Sequence, residues 1–343
     1  MKAVVWVGRD KLDFREVPEP ACLPGQVKIK VMSAGVCMTD VHIITGKFAA
    51  GEPPHILGHE IAGEVAEVGN GCGDIALGDR VVVETAIGCG ICHHCRTANK
   101  HLCDRGGEIG YPPYQGGYAQ YVCVPRGCVY KLPDNVGYDA AGIMEAVACP
   151  FGAVERVGMS MGSSVLIQGP GIAGLSFVQA ARAHGAGKII VTGTKPFRLE
   201  KARELGADVA IDVAKEDVAS RVLDETAGEG ADLSIDTVGS EASIRLAAEL
   251  ARKNGKVVLY GIPNGDATLT YPVQRMILNQ LTVYGVTNNE LIWQPLLTLL
   301  EKGTVRIDDM VTHRFPLREL RSAVDLLLER PEHLIKAVVH PWP

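Results

Sequence analysis

A glycine-rich turn in the middle of the chain decides the fold of the region that follows it. Residues 165–174 read Val165-Leu166-Ile167-Gln168-Gly169-Pro170-Gly171-Ile172-Ala173-Gly174, and a helix-like stretch continues to residue 184. A strand that passes through G-x-G-x-x-G into a helix is the fingerprint of a dinucleotide-binding unit. Gly169 permits a tight turn, Gly171 lets the backbone approach a pyrophosphate, and Gly174 lets helix and strand pack closely. We therefore predict a cofactor turn at Gly169, Gly171, Ile172 and Gly174, with an ordinary glycine turn as the alternative.

Apolar strands and helical stretches alternate from this turn onward. The predicted strands are residues 165–168, 188–192, 209–212, 233–236, 256–260 and 281–284. Strands that alternate with helices indicate an α/β fold with a doubly wound parallel sheet. A periodic helix over 317–329 and a strand over 336–340 end the chain.

The first part of the chain, up to about residue 145, has a different rhythm. Its apolar runs are short and are interrupted by Gly and Pro, as in residues 27–31, 61–68, 80–83 and 118–124. This pattern is typical of a β-rich domain with many loops. A length of 343 residues also suits two domains.

Composition and charge exclude several classes of function. Apolar residues make up 47% and charged residues 22%, as in soluble globular proteins. The 34 Lys and Arg against 40 Asp and Glu give a net charge of −6, and no basic block provides a nucleic-acid footprint. The start, Met1 to Val7, reads as a strand rather than a signal peptide, and no apolar run is long enough to span a bilayer. We expect no nucleic-acid or membrane partner and a cytoplasmic location.

Four closely spaced cysteines predict a metal site. Cys89, Cys92, Cys95 and Cys103 follow a C-x2-C-x2-C-x7-C pattern. Four thiolates close a tetrahedral zinc shell and leave no position for substrate, so we interpret the site as structural. Free thiols are the alternative, and the spacing departs from the usual iron–sulfur pattern. His93, His94 and His101 lie in the same loop, either as solvated residues or as competing ligands.

A second, scattered set of possible ligands consists of Cys37, His59 and Glu60. A catalytic zinc takes about three protein ligands and keeps one open position. Taken singly, each residue has an equally good alternative to metal binding. Cys37 could be an ordinary buried cysteine, and His59 with Glu60 could be a polar pair on the surface.

Together, these motifs resemble the zinc-dependent medium-chain alcohol and polyol dehydrogenases. The resemblance rests on Gly58-His59-Glu60, on Cys37 followed by Thr39 and His42, on the four cysteines, on the glycine turn and on Gly116-Gly117-Tyr118-Ala119-Gln120-Tyr121. It covers essentially the whole chain. It implies a GroES-like zinc catalytic domain of residues 1–146 and 286–343, with a Rossmann dinucleotide-binding domain of residues 147–285 between them.

The resemblance also implies roles for individual residues. Cys37 and His59 correspond to catalytic zinc ligands, and Glu60 to a carboxylate that reaches zinc directly or through water. The last ligand position falls on Glu145, where simple alcohol dehydrogenases have cysteine and sorbitol-like enzymes have glutamate. A carboxylate makes the zinc harder and more polarising toward an oxygen substrate. The alternative for Glu145 is a glutamate that merely starts a helix.

Thr39 and His42 are expected to form the proton path. A hydroxyl can accept and donate at once, and histidine exchanges protons with solvent near neutral pH. The resemblance places Thr39 at the substrate oxygen and His42 near the cofactor ribose. A buried, hydrogen-bonded structural histidine is the alternative for His42.

The residues after the second strand bear on cofactor choice. NAD-selective domains have an acidic residue about 20 positions past the glycine turn. Here the strand ends in Gly193-Thr194-Lys195, and Arg198 follows. A glycine with nearby hydroxyl and cationic groups favours a 2′-phosphate, so we predict NADP in preference to NAD, together with two zinc ions per chain. The alternative is a plain glycine turn followed by surface charges.

The predicted function is reversible hydride transfer between a secondary alcohol or polyol and NAD(P). Within the same class, the alternatives are a threonine-type amino-alcohol dehydrogenase and a primary alcohol or aldehyde reductase. The alternative to an enzyme is a protein that binds the nucleotide without catalysing a reaction, because a fold does not determine a function. The resemblance further suggests a homodimer or homotetramer.

Overall fold

The computed structural model describes residues 1–49, 51–263, 270–288 and 290–343. It separates into two compact units. One consists of Met1–Ala148 and Asn289–Pro343, and the other consists of Cys149–Asn288. In chain order the strands are β1 Lys2–Gly8, β2 Lys11–Glu16, β3 Gln26–Val36, β4 Glu60–Val68, β5 Arg80–Val83, β6 Ala86–Ile87, β7 Gly107–Glu108, β8 Tyr121–Pro125, β9 Val129–Lys131, β10 Ser164–Gln168, β11 Lys188–Gly193, β12 Val209–Asp212, β13 Ala231–Asp236, β14 Ala251–Leu259, β15 Thr282–Gly285, β16 Val311–Pro316 and β17 Lys336–His340. The α-helices are α1 Met38–Ile44, α2 His93–Arg96, α3 Tyr138–Ala141, α4 Met144–Val157, α5 Ile172–Ala183, α6 Pro196–Glu204, α7 Val218–Glu225, α8 Glu241–Leu250, α9 Val273–Leu278, α10 Trp293–Glu301 and α11 Leu320–Glu329. Short 3-10 helices cover Lys100–Leu102, Arg126–Cys128, Glu290–Ile292, Asp308–Met310 and Leu317–Glu319.

A parallel sheet forms the centre of the unit Cys149–Asn288. Its strand order is β12-β11-β10-β13-β14-β15, and helices α5 to α9 connect the successive strands. The apolar run Val165 to Ile167 in β10 is fully buried, as expected for a central strand covered on both faces. The order reverses between β10 and β13, which is where sheets of this type bind ligands at the carboxyl ends of their strands. The predicted doubly wound parallel sheet is confirmed.

The glycine turn between β10 and α5 needs glycine at two of its positions for different reasons. Gly169 has φ +94°, a backbone conformation that other residues rarely adopt. A Cβ atom on Gly174 would lie 1.9 Å from the Gly169 carbonyl oxygen, so a side chain there would push the helix away from the strand. Gly171 differs, because a Cβ atom there would have no neighbour within 4 Å. The turn therefore leaves open space at Gly171, where helix α5 begins.

The other unit is built on a mostly antiparallel sheet. Its order is β16-β17-β3-β4-β5-β9, and β8 also pairs with β3. Strand β17, near the end of the chain, pairs with the last residues of β3 through Ala337–Val36 and Val338–Gly35. Residues from both ends of the chain therefore share one core, in which Ile29, Val41, Tyr118, Val324 and Val339 are buried. The predicted combination of a β-rich unit with a doubly wound parallel sheet is confirmed.

Among the described residues, no helix combines the length and the apolar character needed to cross a bilayer.

Candidate active site

Cys37 lies where strand β3 gives way to helix α1. Its extended backbone, with φ −98° and ψ 148°, starts the helix, and its N–H donates to Asp40 Oδ2 at 3.4 Å. The Thr39 hydroxyl lies 3.6 Å from the Cys37 sulfur. The turn from strand to helix thus places a thiol and a hydroxyl side by side.

His59 and Glu60 reach the same place through a turn and a strand pairing. Gly58 has φ +95°, and a Cβ atom there would lie 2.8 Å from the Tyr118 ring, so the turn before His59 needs glycine. Glu60 opens β4 directly opposite Gly35 of β3. The candidate ligand atoms of Cys37, His59 and Glu60 all lie within 4.8 Å of one another. The structure therefore brings together three of the four residues predicted to form the catalytic metal site.

Asp40 organises this cluster, and the sequence analysis did not assign it a role. It is fully buried. Asp40 Oδ1 lies 3.3 Å from His59 Nδ1 and accepts from the Gly58 N–H at 3.3 Å. Asp40 Oδ2 accepts from the Tyr118 hydroxyl at 2.7 Å. A carboxylate on Nδ1 holds the hydrogen there and leaves the lone pair of Nε2 for a metal.

Asp40 and His59 each favour the charged form of the other. Burial by itself would raise the pKa of Asp40, but His59, together with the hydrogen bonds from Tyr118 and Cys37, lowers it below its ordinary value. Burial likewise opposes the charged form of His59, yet the Asp40 carboxylate raises the pKa of His59 well above its ordinary value. Because a metal binds the neutral ring, metal binding at His59 competes with protonation.

Among the described residues, only one of the two carboxylate oxygens of Glu60 has a hydrogen-bond partner. Its Oε1 accepts from Lys336 Nζ at 2.5 Å, and both side chains are buried. Its Oε2 is buried and has no hydrogen-bond partner among the described residues. A Cβ atom on Gly35 would lie 1.9 Å from this oxygen, so the carboxylate occupies the space of a missing side chain. A buried carboxylate oxygen without a donor, beside a thiol and an imidazole, is a donor set that suits zinc.

Glu145 lies in the first turn of α4 and is half-buried. It does not belong to the group of ligand atoms within 4.8 Å that the described residues form. Burial, reinforced by the negative charge of Glu60, raises the pKa of Glu145 to about 7.

His42 is half-buried on helix α1. Burial lowers the pKa of His42, and the positive charges of Lys47 and Arg330 lower it further. A histidine with a lowered pKa is neutral at physiological pH and can accept a proton and release it readily.

The four cysteines form a separate cluster in which all sulfurs lie within 4.8 Å of one another. Two of the sulfur–sulfur distances are 3.7 Å, between Cys92 and Cys103, and 4.0 Å, between Cys89 and Cys95. Sulfurs about 2.3 Å from a central zinc form a tetrahedron with edges of about 3.8 Å, so the spacing fits a zinc shell. Backbone N–H groups of Ile91 and Cys92 lower the pKa of Cys89, which favours the thiolate.

An ion pair with a buried glutamate attaches this cysteine loop to the sheet. Lys100, between Cys95 and Cys103 in sequence, donates to Glu84 at 2.8 Å, and Glu84 is fully buried just after β5. Tyr130 of β9 donates to the same carboxylate oxygen at 3.0 Å. The loop is therefore fixed at a point between its ligands as well as by the ligands themselves.

The residues predicted to bind the 2′ group of the cofactor's ribose lie at the end of β11 and the start of α6. Gly193 ends the strand, Lys195 caps the helix, Thr194 is exposed, and Arg198 is half-buried in the first helical turn. A Cβ atom on Gly193 would lie 2.6 Å from Pro170 Cδ. The glycine turn thus provides a packing reason for glycine at 193 that does not depend on the cofactor.

We expect Asp40→Asn to weaken zinc binding by about 10- to 100-fold, because the amide no longer holds the His59 ring and its hydrogen as a carboxylate does. Competition with a chelator measures the affinity, and circular dichroism checks the fold. Asp79→Asn is the matched control, since Asp79 pairs with Lys131 at 2.7 Å elsewhere in the same unit. Equal zinc affinity in Asp40→Asn and wild type would contradict this role.

Comparison with known proteins places the fold and this site in a family. The alcohol dehydrogenase GroES-like domain matches residues 23–134, and the zinc-binding dehydrogenase family matches residues 173–302. Sorbitol dehydrogenase of Bacillus subtilis (strain 168) is 32% identical over 346 residues, which cover 99% of this chain and 97% of that protein. L-threonine 3-dehydrogenase of Pyrococcus horikoshii is 36% identical over 308 residues, which cover 88% of this chain and 86% of that protein.

Two similar solved structures contain different cofactors. A candidate zinc-binding dehydrogenase from Sinorhizobium meliloti 1021, bound to NADP, has a TM-score of 0.92 at 30% identity over 99% of both chains. A protein described as a short chain alcohol dehydrogenase from E. coli CFT073, complexed with NADH, has a TM-score of 0.92 at 26% identity over 99% of both chains. The resemblance drawn from the sequence motifs is confirmed. The chain belongs to the zinc-dependent medium-chain alcohol and polyol dehydrogenases and is an NAD(P)-dependent oxidoreductase.

Proposed function

We propose that the chain oxidises a polyol or another secondary alcohol to the ketone, reversibly, at a zinc held by Cys37, His59 and Glu145, with Glu60 able to reach the zinc directly or through water. The observation that carries this proposal is the group of a thiol, an imidazole and a carboxylate within 4.8 Å, in which one buried Glu60 oxygen has no hydrogen-bond partner among the described residues. When bound, zinc supplies a Lewis acid that polarises the substrate oxygen.

The residues of the chain then account for the movement of the proton. The Thr39 hydroxyl accepts the hydroxyl proton of the alcohol as it donates its own proton onward, and its position 3.6 Å from the Cys37 sulfur supports this role. His42, whose lowered pKa keeps it neutral, accepts the proton in turn and releases it to solvent. The carbinol carbon loses its hydride to the nicotinamide, so the alcohol gives up one proton and one hydride in total. Asp40 keeps the His59 ring oriented throughout.

The preference for a polyol rests on Glu145. A carboxylate in place of a thiolate leaves more positive charge on the metal, which favours hard oxygen substrates. The named sorbitol dehydrogenase relative is consistent with this choice. L-threonine is the second candidate, because a threonine dehydrogenase is 36% identical to this chain.

The second zinc is proposed for the cluster of Cys89, Cys92, Cys95 and Cys103, where it would stabilise the loop rather than bind substrate. The sulfur spacing supports a closed shell. Closed thiolate shells contribute folding free energy directly.

We further propose that the cofactor binds at Gly169, Gly171, Ile172 and Gly174 and that NADP is preferred. Open space at Gly171, where helix α5 begins, supports pyrophosphate binding. The cationic residues Lys195 and Arg198 after β11 support a 2′-phosphate. The packing of Gly193 against Pro170 weakens the argument from glycine alone, so the preference depends on the two cations.

The remaining expectations concern the whole molecule. The compact units Met1–Ala148 with Asn289–Pro343, and Cys149–Asn288, support the domain division proposed from the resemblance. None of the ten cysteines forms a disulfide. The cytoplasmic location predicted from the sequence is kept as part of the proposal. A homodimer or homotetramer is expected from the family alone.

Metal analysis tests the two-zinc proposal. We expect close to two zinc ions per wild-type chain, and one in a folded, inactive Cys37→Ser variant. Cys95→Ser should lower the melting temperature first, because the closed shell contributes to folding. Full turnover after complete zinc removal would contradict the proposal.

A substrate screen tests the choice of alcohol. We expect kcat/KM for a polyol such as sorbitol to exceed that for L-threonine by tenfold or more, a difference of about 1.4 kcal/mol in transition-state binding. Glu145→Cys should reduce activity with the polyol more than it weakens cofactor binding. A clear preference for L-threonine would establish the second candidate instead.

Cofactor kinetics test the choice of nucleotide. We expect kcat/KM to favour NADP, and Lys195→Ala to reduce it for NADP by about 10-fold or more through loss of a charge-assisted contact, with little effect on NAD. Lys253→Ala, an exposed lysine of the same unit, is the control. Equal losses with both nucleotides, or a tenfold preference of wild type for NAD, would show that these cations do not read the phosphate. Gly193→Asp is a poor probe because its side chain would collide with Pro170.

A further inference from the structure

A buried ion pair of Lys336 and Glu60 lies within the candidate active site and has no role in the mechanism above. Lys336 is 4% exposed and Glu60 is 0% exposed, and their charged atoms are 2.5 Å apart. Removing both charges from water is unfavourable, and a buried pair often contributes no net stability compared with apolar residues of the same size. Such a pair at a reactive site therefore calls for a functional explanation.

The sheet brings the two residues together from opposite ends of the sequence. Val338 of β17 pairs with Gly35 on one edge of β3, and Glu60 of β4 pairs with the same Gly35 on the other edge. Because Gly35 has no side chain, the Glu60 carboxylate can lie over β3 and reach the ammonium group of Lys336. The pairing of Ala337 with Val36 places Lys336 level with Cys37, the first candidate ligand.

The two oxygens of Glu60 therefore face different partners. Oε1 binds the ammonium group, whereas Oε2 has no hydrogen-bond partner among the described residues and belongs to the carboxylate that completes the cluster with Cys37 and His59. A carboxylate can bridge two cations in this way, and each cation weakens its bond to the other.

We propose that Lys336 is a positioning residue that shares the Glu60 carboxylate with the metal and so limits how strongly Glu60 binds it. This inference rests on the proposed metal site. With one oxygen held by Lys336, Glu60 remains a weak metal ligand, and a coordination position stays available to the alcohol.

Electrostatics gives the direction of the effect. Asp40, Glu60, Glu145 and the Cys37 thiol surround the site with groups that are negative when deprotonated, and Lys336 is the cation that pairs with one of them. Replacing Lys336 with methionine makes this buried region more negative by one charge. The metal becomes the nearest compensating cation, so it should be held more tightly and Glu60 should compete with substrate.

The experiment follows zinc release to a chelator, with Cys37→Ser used to subtract the zinc of the cysteine loop. In Lys336→Met we expect release from the catalytic site to slow by about tenfold or more, and KM for the alcohol to rise by a similar factor with a smaller change in kcat. Lys336→Arg should restore both values toward wild type. Lys336→Gln keeps a hydrogen-bond donor without the charge. It should shift zinc release and KM in the same direction as Lys336→Met, and it replaces that variant if Lys336→Met does not fold.

Two controls separate this role from a general loss of stability. Lys28→Met removes another buried lysine of the same sheet, paired with Glu67 at 2.6 Å, and should lower stability without slowing zinc release. In a Glu60→Gln background, Lys336→Met should no longer slow release. Faster release in Lys336→Met, or an unchanged effect without Glu60, would overturn the inference. A wild-type protein that holds zinc only in the cysteine loop would instead contradict the proposed function itself.

Discussion

The buried carboxylate of Asp40 is the constraint on which the proposed metal cluster of Cys37, His59 and Glu60 depends. Its two oxygens meet the N–H of Cys37, the N–H of Gly58, the ring of His59 and the hydroxyl of Tyr118. A carboxylate removed from water is tolerated only when such partners are all in place. The same contacts that satisfy Asp40 hold the strand end that carries Cys37 against the turn that carries His59, so the ligands come together before any metal binds.

The two proposed metal sites are organised in physically different ways. The four cysteines lie in one short loop, and local backbone N–H groups and one ion pair with a buried glutamate hold that loop in shape. The proposed catalytic cluster instead draws its residues from the ends of β3 and β4, from α1 and from β17, and it depends on the register of three neighbouring strands around Gly35. A closed loop of thiolates can stabilise the fold. A cluster assembled across a sheet can instead place one carboxylate, that of Glu60, between Lys336 and the proposed metal.

Motifs with fixed spacing could be predicted from the sequence, but contacts made across the sheet could not. The glycine turn, the succession of strands and helices along the chain and the four cysteines follow local patterns of spacing and hydrophobicity. Asp40 and Lys336 carry no such pattern, because their roles arise from partners 19 and 276 residues away. A lysine inside the apolar strand Lys336–His340 was the available signal, since a lysine in such a strand needs a buried partner. Gly193 shows a different limit of sequence reasoning, because the closeness of Pro170 requires the same glycine that a site for a 2′-phosphate would favour.

X-ray absorption at the zinc edge tests the central claim, which is that one chain holds zinc in two unlike environments. With four thiolates around one ion and a single thiolate at the other, wild-type protein should give an average of about two and a half sulfur ligands per zinc. Cys37→Ser, which keeps only the zinc of the cysteine loop, should give about four. An average of four in both proteins would contradict the account, because it would leave no zinc at Cys37 and His59.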